Sequence, residues 1–221
     1  MRAALGLVAV ACLAAAPARA EPHRAPGAGR LTGAHVLLLP VRVDVYEAAT
    51  VQLGVVQAER TENAREWVQA ALERLLPPER AVMLKYAAPA APERRERHAQ
   101  VLGLHTVVRG AILAHQYNVA YYLPSLQGRF AWSLGPGVAV LREDSPSAGY
   151  GLFVEIVEHR LLGGTFVTLG ALGSDRLIGV ASVVDLTTGD VLWFNQERGG
   201  SLATAADTLG MVTRLLGELP F

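Results

Sequence analysis

The segment Ile178–Gln196 restricts the fold more than any other part of the chain. Two apolar runs, Ile178–Asp185 and Val191–Gln196, flank Leu186-Thr187-Thr188-Gly189-Asp190. A short connection with a glycine between two such runs forms a β-hairpin, because Gly189 can supply the positive φ that the turn needs. A hairpin requires a sheet to join and a cover for its apolar face. His35–Glu47 begins as a solid apolar run and then alternates Val41, Val43 and Val45 against Arg42, Asp44 and Tyr46, as a strand does. Pro40 cannot donate to a ladder, so that point is an edge, a bulge or a change of partner. Thr50–Gln57 reads as a short strand returning on the first, and Arg80–Tyr86 and Gly151–His159 as further strands.

Helical periodicity fills the spaces between them. From Thr61, read as an N-cap, the positions Ala64, Trp67, Val68, Ala71, Leu72, Leu75 and Leu76 repeat at 3.6 residues until Pro77-Pro78 ends the run. A second helix is expected over Glu93–His115, with Gly103 and Gly110 as weak points. Val138–Glu143 forms a brief helix and Ala203–Leu216 a closing one with Leu209, Val212, Leu215 and Leu216 on one side. The order of elements predicts an α/β fold: one mixed sheet flanked by helices, with a C-terminal hairpin followed by a closing helix. Residues 34–221 form a single domain, behind a Pro-, Gly- and Arg-rich leader, 21–33, expected to be flexible.

Residues 1–20 carry a charged start at Arg2, an apolar stretch from Ala3 to Ala16, and Pro17-Ala18-Arg19-Ala20, the small-x-small pattern of a secretory signal cleaved after Ala20. The expected location is the periplasm. Cys12 is the sole cysteine, and lipid anchoring there is disfavoured because Ala9 stands where a lipoprotein signal has Leu. Cleavage therefore leaves a domain without a thiol, whose stability rests on its core. The full chain has 20 basic and 20 acidic residues, and loss of Arg2 and Arg19 leaves a small acidic excess, which excludes a dedicated nucleic-acid binder.

Chemistry-bearing patterns are sparse. No nucleophile elbow, HExxH helix, phosphate loop or calcium loop occurs. His98 and His105 share a helix face, but their spacing of seven does not suit a metal pair, so no metal and no cofactor are expected. Glu155 and His159 fall on one face of a strand, where Glu155 could orient His159 as a base; this hydrolase or metal-enzyme reading is one alternative. A small-molecule binder using Tyr117, Tyr121 and Tyr122 is another. Leu161–Gly173 holds thirteen residues without a charge and with four glycines, which suits either a buried segment or an apolar loop meeting a partner or a membrane surface.

The run Ile178–Trp193, with its D-x-x-T-G-x-V-x-W turn, resembles bacterial envelope proteins of the CsgG and TolB amino-terminal type, and Trp132-Ser133-Leu134-Gly135-Pro136-Gly137 is a second feature similar to uncharacterised envelope and secreted proteins of Gram-negative bacteria. The resemblance implies a mixed sheet flanked by helices and a non-catalytic role in envelope assembly or maintenance through protein contacts. The candidate partner-binding residues are Trp132, Gly135, Gly137, Phe166 and Trp193, with Trp193 equally readable as core.

Overall fold

In a computed structural model, residues 21–221 are described apart from 27, 30, 49–53, 127 and 162–175. The signal segment with Cys12, and Phe166 with nearly all of the 161–173 segment, lie outside the described residues. The expected first strand is divided at Pro40 into β2, His35–Leu38, and β3, Arg42–Ala48. Both run parallel to one long strand, β6, Tyr150–Leu161. Leu38 pairs with Leu152 and Arg42 with Glu155, so the first strand takes four steps where β6 takes three. That extra residue is a bulge, and it inverts the alternation of side chains. Leu37 and Leu39 face one side of the sheet, and Arg42 joins them there, while Val43 and Val45 turn to the other. Beyond the bulge the outer neighbour changes too. β5, Val82–Lys85, lies parallel to β2, whereas β4, Gly54–Val56, lies antiparallel to β3.

The hairpin is formed as expected. β7, Arg176–Asp185, and β8, Val191–Arg198, are antiparallel across a turn in which Gly189 has φ +85°. β6 joins β7 antiparallel, so parallel pairing on one side of β6 meets a meander on the other. The leader differs from expectation. His23–Arg24 form an edge strand, β1, on β8, and the His23 ring packs against Tyr117 and Phe130. Leu31 also donates its N–H to Pro220 O at 2.7 Å. Its composition indicated flexibility, but aromatic and backbone partners far along the chain hold it.

Two layers of helix cover the sheet. α1, Ala58–Leu75, and α3, Ala205–Leu215, bury Val68, Leu72, Met211, Val212 and Leu215 against Val43, Leu152, Ile156, Val183 and Trp193. α1 begins a turn before the expected cap. Thr61 is inside the helix, and its buried Oγ1 accepts from Val45 N at 3.1 Å, stitching helix to strand. The true side-chain cap is on α3, where Thr204 Oγ1 accepts from Asp207 N. On the opposite face lies α2, Pro92–Gln116, continuous through both glycines. With a 3₁₀ helix over Pro136–Arg142 it covers Leu37, Leu39, Val180, Val184 and Phe194.

Candidate functional site

α2 crosses the sheet with an opening on each flank. The first is a cleft of about 300 Å³ where the Pro40 bulge separates the strand from the helix, lined by Pro40, Leu102, Gly103, Thr106 and Phe153, with Arg42 and Glu155 at its polar end. The second is a shallower groove of about 330 Å³ between α2 and the 3₁₀ helix, lined by Val101, Leu104, Leu134, Gly137 and Val138.

The cleft brings together four ionisable side chains, Arg42, His105, Arg109 and Glu155. Because the bulge turns Arg42 toward α2, its guanidinium comes 3.7 Å from Glu155 and 3.5 Å from Thr106 Oγ1. Arg109, from the next turns of α2, makes a closer ion pair with Glu155. The Arg109 Nε is buried without a hydrogen-bond partner. One carboxylate therefore serves two guanidinium groups. His105, below them, stacks on Phe153 at 3.8 Å, and its Nε2 is 2.8 Å from Ser182 Oγ. Burial is the main reason its pKa falls, to about 3, with the Arg109 and Arg42 charges adding to the effect. The ring is neutral at physiological pH, so among the described residues Glu155 is the one charge set against the two guanidinium groups.

This assembly differs from the sequence candidates. Glu155 and His159 share a strand face but are not brought together: Glu155 is held by arginines, and His159 is exposed and stacked on Tyr46 at 4.9 Å. The histidine that meets a serine hydroxyl is His105, 77 positions from Ser182. Both are buried, which leaves no room for a substrate between them. His98 is likewise taken up by packing, its ring nitrogens 3.1 Å from Tyr86 Oη and from Val140 O. Among the described residues no group of three or more His, Cys, Asp or Glu side chains is placed to hold a metal, and no helix is long and apolar enough to cross a membrane.

The two motifs that carried the resemblance meet in space. Leu134 N donates to Gly189 O, Val191 N donates to Trp132 O, and Ser133 bridges to Asp190. A Cβ on Gly189 would lie 2.2 Å from Gly135 O, so backbone approach requires glycine there. Gly135, at φ +73°, thus supports the hairpin turn, while Gly137 is exposed on the wall of the groove. Trp132 is partly buried and stacks with His115. Trp193 is 0% exposed in the core between the sheet and the α1/α3 layer, so it cannot touch a partner without opening that core. Tyr117 packs inward against His23 and Phe194, whereas Tyr121 and Tyr122 are exposed, so the three rings do not converge.

Arg42 and Arg109 were missed in the sequence. A signal existed for each: a one-residue bulge at Pro40 would carry Arg42 to the opposite face, and Arg109 is the one Lys, Arg, Asp or Glu between Gln100 and Ala114.

No family model and no curated protein matches the chain. Among solved structures it is similar to the PelC dodecamer from Paraburkholderia phytofirmans at 11% identity, covering 91% of this chain and 98% of that one with a TM-score of 0.37. It is also similar to the LpoB C-terminal domain from Salmonella enterica, at 12% identity, 79% and 87% coverage and a TM-score of 0.32. Lipoprotein GNA1162 from Neisseria meningitidis gives 14% identity, 81% and 92% coverage and 0.31. None of these is a CsgG or TolB structure, and overlap this loose carries neither ancestry nor site geometry to the chain.

Proposed function

We propose that this chain is an exported, non-catalytic protein of the cell envelope that works in the periplasm by holding a protein partner against the outer flank of α2. One observation carries the reading: Leu104 and Val107 are 42% and 68% exposed on a helix that turns His98, His105 and Ile112 inward, and Leu104 lines the apolar groove with Val101, Leu134 and Val138. Exposed large side chains grouped beside a groove suit a protein contact better than solvent. The arginine at its rim, Arg97, is neutralised within the chain by Glu143, so the groove selects an apolar segment of a partner and not an acidic one. Export follows from the reading of residues 1–20, and the buried His105–Ser182 pair favours structure over catalysis.

A photo-crosslinking residue at Leu104 or Val107, introduced in the native host, tests this against a control at Glu66 on the solvent side of α1. A discrete envelope-protein adduct at the α2 positions, absent at Glu66 and lost on adding Leu104→Asp to the Val107 probe, supports the proposal. Equal yields at all three positions, or an adduct that survives Leu104→Asp, overturn it. A self-adduct identifies a second copy as the occupant and overturns the assignment to another protein.

A further inference from the structure

We infer that the cleft on the other flank of α2 is a binding site for a small organic carboxylate with an apolar body, its charge held by Arg42 at the Arg42–Glu155–Arg109 end. The inference stands apart from the partner groove and holds whether or not that groove is occupied.

Among the described residues, the charges facing the cleft are few. Arg42 comes from β3, Arg109 from α2 and Glu155 from β6, and His105 on α2 is neutral. Two guanidinium groups against one carboxylate leave one positive charge next to a lining of Pro40, Leu102 and Phe153. Glu155 is committed to Arg109, whereas Arg42 is 56% exposed at its side chain and meets Glu155 and Thr106 only at long range, 3.7 and 3.5 Å. Its donors are available at the polar end, and a guanidinium recognises a carboxylate through two parallel hydrogen bonds. The space of about 300 Å³ lies at the small end of ligand pockets. At ~30 Å³ per water it corresponds to about ten water-sized groups, hence a ligand of about ten non-hydrogen atoms.

Gly103 borders the same cleft and gives a position at which to block it. It lies in the interior of α2, where glycine is disfavoured relative to alanine, and a Cβ built on it meets nothing within 4 Å. Packing therefore does not require glycine at this position, which lines the cleft.

Octanoate is the probe, with octanol as the same apolar body without the charge. Titration of the purified exported chain, followed by calorimetry and by backbone amide shifts, is expected to give saturable octanoate binding centred on residues 99–106 and 153–155. Octanol should bind about tenfold or more weakly, the loss expected for a charge-assisted pair. Arg42→Ala should weaken octanoate by a similar factor, Arg42→Lys by less, and Gly103→Leu should abolish binding while the thermal midpoint does not fall. No saturation at roughly 10 mM octanoate, a value marking negligible affinity, overturns the inference. So does octanol binding as tightly as octanoate, or affinity unchanged in both Arg42→Ala and Gly103→Leu.

Discussion

Acid should destabilise this protein through imidazoles that burial holds neutral, His23 and above all His105, and the size of the larger effect follows from where His105 sits. In the unfolded chain the ring takes up a proton near its ordinary value of 6.5, whereas in the fold burial, reinforced by Arg109 and Arg42, delays this to about 3. Between those values the unfolded state binds more protons than the native one, so stability is fully present above 6.5 and declines as pH is lowered toward 3. One pH unit in that window is worth about 1.36 kcal/mol, which gives a loss of about 2 kcal/mol between pH 6.5 and pH 5 from this group. The suitable comparison is His105→Gln, which keeps a hydrogen-bonding group within reach of Ser182 and does not titrate. Urea unfolding followed by tryptophan fluorescence over that range measures both proteins. The variant is expected to be less stable at neutral pH, since the stack on Phe153 is lost, but to converge on wild type in acid by about 1–2 kcal/mol. Parallel pH profiles would refute the account of a neutral, buried ring flanked by two cations.

Other outcomes follow from the same geometry. Glu155→Ala leaves Arg109 and Arg42 facing each other without an anion, and is expected to cost about 3 kcal/mol by chemical denaturation, toward the low end for a broken buried pair because Arg42 is half exposed. Gly189→Ala should lose about 3 kcal/mol or more, since the turn φ of +85° disfavours a side chain and the new Cβ would collide with the Gly135 backbone; differential scanning calorimetry reads this directly. Gly103→Ala is expected to move the other way, raising stability by about 0.8–1 kcal/mol, because the helix gains an alanine and nothing is displaced. Thr204→Ala removes the cap on Asp207 N and should cost about 1 kcal/mol in the same assay.

Much of the architecture was legible from local pattern. The hairpin over Ile178–Gln196, the long helix over Pro92–Gln116 and the break at Pro40 each rest on interactions within a few residues: a turn glycine, a 3.6-residue repeat, a missing donor. The site was not legible in the same way. Glu155 was singled out in the right strand but with the wrong partner, since an alternation pattern identifies a face and says nothing of what packs over it. His105 drew notice only for its spacing from His98, while its neighbours in the fold, Ser182 and Phe153, come from two strands of the sheet, β7 and β6.

What the amino-acid order determined by itself was the set of elements and their apolar faces. The tertiary structure decided which faces meet. A single extra residue at Pro40 inverts the side-chain alternation and delivers Arg42 to Glu155 on the α2 side. Close packing of the Gly135 and Gly189 backbones turned two separate motifs into one supporting contact, and the α1/α3 layer closed over Trp193. Periodicity is local and reads directly from a sequence; register and burial arise only when distant segments compete for the same space, and the candidate site is made of those.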